Sequence, residues 1–232
     1  MAGIKQIKGV QKPRTVKQVP IEEPQDTWLN ELIERHLTGT MYPAKTNVFH
    51  PSAISNPCDR ALWLAYHGQM IEMPLSATLH RIFENGNYLE QRVEHWFRDT
   101  RILLGREVPV RSADPPISGR IDFLIKHSEH GVVPIELKSI NTAGFGRLTK
   151  PKDEHQMQLQ IYLNLGGYEL GTVLYENKND QRIKSFFVKR DVEQWDAILS
   201  RLFSIQAMST RPSICTGANW CNCRNVPEVA VS

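Results

Sequence analysis

No stretch of the 232 residues approaches the roughly 20 consecutive apolar residues that a membrane-spanning helix needs. The opening MAGIKQIKGVQKPR also lacks the apolar core of a secretory signal. Both absences point to a cytosolic protein. Cysteine is scarce, with four in the chain, and in a reducing compartment clustered thiols raise the question of a metal before that of disulfides. Acids are missing between Met1 and Gln18, where Lys5, Lys8, Lys12, Arg14 and Lys17 stand. The formal net charge of +3 is therefore a positive arm on a slightly acidic body. Such an arm suits contact with polyphosphate, and equally a solvated tail.

What is present is enough for a core. At 41% hydrophobic content the chain can bury one main domain. We read residues 1–24 as a flexible basic arm and residues 25–232 as one domain, without repeats or low-complexity tracts. Trp28, Leu29, Leu32, Ile33 and Leu37 recur at helical spacing behind a possible Asp26 cap. SNPCDRALWLAYHG predicts a second helix, capped by Asn56, with Pro57 at its first position and Gly68 as its stop. A long helical pattern runs from Ala77 to Leu104, interrupted at ENGN, with Leu89, Val93, Trp96, Phe97 and Leu104 on one stripe. Then the period changes to two. EVPVRS, ISGRIDFLIK and VVPIELKSI read as strands, HQMQLQIYLNLGG as a helix, GTVLYENKNDQRIKSFFVKR as a hairpin and DVEQWDAILSRLFSIQ as an amphipathic helix. That order predicts an α/β fold with a central mixed sheet flanked by helices.

The strand pair around GRIDFLIKHSEHGVVPIELKSI carries the chemistry. Alternate residues of a strand share a face, so Glu136 and Lys138 point one way and Leu137 the other. Asp122 lies on the preceding strand, whose pairing can bring it beside them. Two converging carboxylates repel unless a cation neutralises them, and magnesium accepts one or two carboxylates together with substrate phosphate oxygens. Lys138 beside that cation can orient or deprotonate an attacking water and stabilise charge growing on phosphorus. Taken alone, a D…ExK pattern fits an ordinary cross-strand ion pair as well.

RIDFLI, a short connection and PIELKSI together resemble the core of the PD-(D/E)xK nuclease superfamily, with Asp122, Glu136 and Lys138 at its acidic and lysine positions. The usual Pro-Asp is Ile121-Asp122 here. The resemblance implies a restriction-endonuclease-like core and a further acid on the helix before the first strand. ENGNYLEQRVEHWF supplies Glu90 in a G-x-x-x-E setting similar to the first motif of RecB-like nucleases, at the edge of the apolar stripe; His95 lies on the wrong side. After the third strand, His155, Gln158 and Tyr162 share one narrow polar face. The Q-x-x-x-Y spacing of Gln158 and Tyr162 resembles the additional RecB-like motif, which implies a role in placing the substrate strand and the lysine. Between these elements, NTAGFGRLTKPKDE reads as a flexible basic loop. Its Arg147, Lys150 and Lys152, with Phe145 as an aromatic at the mouth of the site, can hold a single strand; an ordinary solvated loop fits too.

Cys58 stands apart from Cys215, Cys221 and Cys223. One distant thiol and three close ones resemble the RecB-like nucleases that hold a [4Fe-4S] cluster, among them the AddB recombination subunit and CRISPR adaptation nucleases. SAISNPCDRALWLAYHG is similar to the stretch bearing their first cysteine. The resemblance implies a cluster that clamps the two ends of the chain over the core. The spacing here is C-x5-C-x-C, where the relatives show C-x2-C-x5-C, and zinc in a four-thiolate site or buried free cysteines also fit.

Taken together, the motifs imply a magnesium- or manganese-dependent DNA exonuclease serving recombination, repair or replication, of a small stand-alone type resembling phage enzymes. Glu90, Asp122, Glu136 and the Leu137 carbonyl are the expected ligands of the catalytic ion, and DNA with free ends or single strands is the expected partner. Two rivals stand beside this reading: a non-catalytic nucleic-acid-binding accessory module, and an endonuclease of the same fold.

Overall fold

Branched residues alternating along one continuous stretch build three consecutive strands, β1 Leu103–Ala113, β2 Pro116–His127 and β3 Gly131–Ile140. A computed structural model describes residues 27–38, 45–70, 76–216 and 221–226. The expected Asp26 cap and the whole of the basic arm, residues 1–24, lie outside these residues. The first helix, α1 Thr27–Leu37, is where the apolar spacing predicts it, and it belongs to a unit separate from the remainder of the chain.

In the main unit, α2 Pro51–Ile54 and α3 Asp59–Tyr66 precede the long α4 Ala77–Asp99. After β3 come α5 Thr142–Arg147 and α6 Asp153–Gly166, then the hairpin β4 Leu170–Asn177 and β5 Ile183–Lys189, and α7 Val192–Ala207. The strands lie in the order β1-β2-β3-β4-β5. All neighbours are antiparallel except β3 and β4, which run parallel. A parallel pair needs a crossover, and α5 and α6 supply it. The expected mixed sheet flanked by helices is the fold found.

Three apolar clusters hold the layers together. Leu89 and Val93 of α4 pack with Phe123, Ile135 and Leu137 on one face of the sheet. On the other face, Leu159, Tyr162 and Leu163 of α6 pack with Ile121, Val173 and Tyr175. Outside α6, residues of α2, α3 and α7 close over Ile161 together with Cys58, Cys221 and Cys223. Gly119 of β2 lets these layers approach, because a Cβ there would stand 2.7 Å from Pro51 and 2.9 Å from Tyr162.

The structure corrects several expectations. The ENGN segment does not interrupt α4, and the helix ends at Asp99, so Leu104 belongs to β1. A glycine inside a helix costs about 1 kcal/mol, which the burial of Leu89 and Val93 in the next turns outweighs. Trp96 is 41% exposed rather than on a buried stripe, with the Arg92 guanidinium over its ring. The cap of α3 is Cys58, whose sulfur accepts the Ala61 N–H at 3.3 Å. The Asn56 side chain accepts the Cys58 N–H instead. Gly68 does follow the end of α3, at φ +65°.

Candidate active site

The β2–β3 ladder runs from His127 and Gly131 to Phe123 and Ile135 and stops there. One residue further on, the Asp122 carboxylate takes the place of a backbone acceptor: Oδ2 accepts the Leu137 N–H at 2.7 Å. From Ile135 onward, β3 is held by its parallel partner β4. Asp122 and Glu136 are thus brought to the opening between two strands, on the sheet face that α6 covers.

Glu136 is fully buried, and its Oε2 has no hydrogen-bond donor among the described residues. Its charge partner is the Lys138 ammonium, 2.6 Å from Oε1. The same ammonium donates to Gln158 Oε1 at 3.2 Å, and Gln158 Nε2 donates to the Tyr162 hydroxyl at 3.1 Å. A continuous polar chain therefore runs from β3 into α6. Gln158 and Tyr162 sit one helical turn apart, which lets one face carry both contacts. His155, expected on that face, turns to the Tyr175 hydroxyl, 2.8 Å from its Nδ1. Burial, and then Lys138, hold its pKa down at about 4, so the ring is neutral.

Burial holds the carboxyls of this site toward their protonated forms. Burial, followed by the Glu136 charge, raises the Asp122 carboxyl well above the ordinary aspartate range. Glu136 is also raised by burial, with Lys138 opposing and Glu90 reinforcing the shift. Glu90, half-buried on α4, is raised by burial while Arg106 pulls it back; the Arg106 guanidinium lies 3.6 Å from it. Burial and the Glu136 charge likewise push the Tyr162 hydroxyl upward. Two buried carboxylates sharing one ammonium are costly, and a hard divalent cation removes that cost. By this test the Asp122 and Glu136 donor set fits a magnesium-type ion.

Asp122, Glu90, Gln158 and Tyr162 line one cleft of about 510 Å³. Its basic residues are Lys45, Arg111 and Arg120, with His50 beside them. The sequence reading missed them. Arg120 was recoverable, because a residue two before Asp122 shares its strand face, whereas Lys45 and Arg111 are brought there by tertiary packing. Arg147, Lys150 and Lys152 line a different hollow, which none of the three acids lines. The first part of the segment is not an open loop: residues 142–147 form α5, and Phe145 is 3% exposed in the core rather than at a site mouth, while Lys150 and Lys152 stand in the connection from α5 to α6. Lys150 pairs with Asp153 at 2.9 Å and Lys152 with Glu154 at 3.5 Å.

The four cysteines do converge. Their sulfurs all lie within 4.8 Å of one another, close enough that the group could hold a metal ion. Cys215 and Cys223 are 3.4 Å apart. Burial, and then the neighbouring thiols, push the Cys58 thiol up to about 12. Arg60, buried beside this group, donates to the carbonyls of Pro212, Cys223 and Val226. Trp63 Nε1 donates to Met208, and Arg201 reaches back to Asp59, Ile54 and Asn56. Neither arginine carries a sequence signal that separates it from a surface cation.

No known family pattern matches the chain, and no curated protein matches it in sequence. Solved structures do resemble it. The crystal structure of SSO0001 aligns with a TM-score of 0.52 at 18% identity, covering 81% of this chain and 87% of that one. The alkaline exonuclease LHK-Exo from Laribacter hongkongensis aligns with a TM-score of 0.51 at 14% identity, covering 76% and 91%. The same enzyme in complex with dAMP gives 0.50 at 16% identity, covering 77% and 91%. At these identities the likeness is one of fold.

Proposed function

We propose that this chain is a magnesium- or manganese-dependent deoxyribonuclease, acting as an exonuclease on DNA with free ends or single strands in recombination, repair or replication. The observation that carries the reading is the buried Glu136 carboxylate, paired through Oε1 with Lys138 and without a donor at Oε2 among the described residues, at the strand opening that Asp122 holds. The shared fold with an alkaline exonuclease supports it.

Glu90, Asp122, Glu136 and the Leu137 carbonyl are the residues that would hold the catalytic ion. Bound there, a divalent cation supplies Lewis acidity toward a phosphoryl oxygen and lowers the pKa of water. The chain's own residues do the rest. The Lys138 ammonium, held between Glu136 and Gln158, orients the attacking water and stabilises the charge that grows on the phosphoryl oxygens. The water oxygen bonds to phosphorus as the bond to the leaving oxygen breaks, and that oxygen takes a proton. Gln158 and Tyr162 fix the lysine and face the cleft where the phosphodiester lies. Lys45, Arg111 and Arg120 add salt-sensitive affinity for the backbone.

The four thiols form a second, structural centre that ties Cys58 to the C-terminal segment. One tetrahedral ion with metal–sulfur bonds of about 2.3 Å sets its sulfurs roughly 3.8 Å apart. In a [4Fe-4S] cluster each thiolate caps a different iron, so the sulfurs stand farther apart by the width of the cluster. The observed spacing favours zinc over the iron-sulfur alternative.

Incubating the purified protein with magnesium and end-labelled linear DNA, beside the same DNA as a closed circle, tests the catalytic reading. Loss of the linear form with the circle spared is expected. No cleavage of either would overturn the enzyme, and equal cutting of both would make it an endonuclease.

A further inference from the structure

The apolar stripe of α4 outruns the sheet it packs on. Leu89 and Val93 are buried against the sheet, but Ile82, on the same stripe two to three turns earlier, is 45% exposed, and its neighbour Phe83, in line with Glu90, is 52% exposed. These residues are not left over open solvent alone. They wall a hollow of about 440 Å³ that also includes Gly86 and Glu90 of α4, Leu137 and Lys138 of β3, and Lys178 beyond β4. Its size is in the range of small-ligand sites, about 300–1,000 Å³. Glu90 is shared with the basic cleft described above, so the candidate catalytic residues lie between the two depressions.

Gly86 gives the second observation. It sits inside α4, where glycine is the least favoured residue after proline. A Cβ built on it would meet nothing within 4 Å. No packing within the described chain requires glycine there. The missing side chain leaves open the space one turn before Glu90 and one turn after Phe83.

We propose that this shelf receives the end of a single nucleic-acid strand, with a base stacked on Phe83, the sugar-phosphate passing over Gly86 toward Glu90 and Lys138, and Lys178 against a neighbouring phosphate. Aromatic faces beside a cation at a phosphodiester-cleaving centre match the chemistry of single-strand binding, in which stacking supplies affinity and backbone charge supplies register. A protein partner's apolar helix would not use a shelf whose inner end is lined by Glu90, Lys138 and Lys178. The inference rests on the nuclease reading and assigns it a place for the strand.

Binding of a fluorescein-labelled ten-residue oligothymidylate to the full chain, followed by anisotropy with calcium in place of magnesium, tests the shelf. Phe83→Ala is expected to weaken binding about tenfold. Gly86→Ala is expected to weaken it several-fold while raising the melting temperature, an opposition that a purely structural glycine would not give. Phe203→Ala, an exposed aromatic on α7, serves as the control and should bind like the parent. Unchanged affinity in both α4 variants overturns the shelf, even if the parent cleaves DNA. Weakened binding in a protein that cleaves nothing keeps the shelf and removes the nuclease. A parent protein that neither binds nor cleaves removes both.

Discussion

Asp122 Oδ2 and the backbone N–H of Leu137 meet at 2.7 Å at the place where the β2–β3 ladder ends. A side-chain carboxylate thus occupies a position that a strand carbonyl would hold, and its burial beside Glu136 raises its pKa. Because the raised value belongs to the folded state, the protonated form is favoured there. The associated stability is fully present below the ordinary aspartate value of 3.8 and is lost as pH rises from there through the folded value. Without added divalent cation, Asp122→Asn should therefore melt higher than the parent at pH 7, with the difference shrinking toward pH 4. Paired melting curves across that range check it, and a parent that melts higher at pH 7 would show the charge to be compensated inside the fold.

Gln158 and Tyr162 reach the chemistry through Lys138. Tyr162→Phe removes one hydrogen bond of about 1 kcal/mol, so the turnover rate on linear DNA should fall roughly fivefold with little change in melting temperature. Steady-state kinetics that show only a raised KM would place Tyr162 in substrate affinity instead.

Arg60 is buried and satisfies three carbonyls of the C-terminal segment. Each acceptor left unpaired in the interior costs about 1–3 kcal/mol, so Arg60→Met should lower unfolding stability by about 3 kcal/mol or more. Urea titration of the two proteins measures this. A loss below about 1 kcal/mol would mean that water replaces the guanidinium.

The thiol centre should contain one zinc per chain and leave the purified protein colourless. Elemental analysis beside the visible spectrum of anaerobically prepared protein distinguishes the two metals. Brown protein with iron and acid-labile sulfide would establish the cluster in place of zinc. Cys221→Ser should lose the metal and lower the melting temperature; an unchanged melting curve would contradict the clamp.

The sheet and the acids were legible because they obey short periods. Alternation placed Glu136 and Lys138 on one face, and the short connection between β2 and β3 brought Asp122 to them. Helical spacing joined Gln158 to Tyr162 in the same way. What was not legible depends on contacts distant in sequence. The basic loop looked like a clamp until Phe145 proved to be core, with the Lys184 ammonium 4.7 Å from its ring centre. Arg106 reads as any exposed strand arginine until α4 places Glu90 and Glu94 beside it. The overhang of α4 is equally hidden, since Ile82 continues a stripe whose far end is buried.

The most direct test of the account is magnesium-dependent release of nucleotides from end-labelled linear DNA by the parent protein and by Lys138→Ala, with melting curves run alongside. The account predicts release by the parent, a loss of at least about a hundredfold in the variant, and a variant that still melts cooperatively, at a lower temperature because Glu136 loses its charge partner. A variant that folds and still degrades DNA at the parental rate would contradict it.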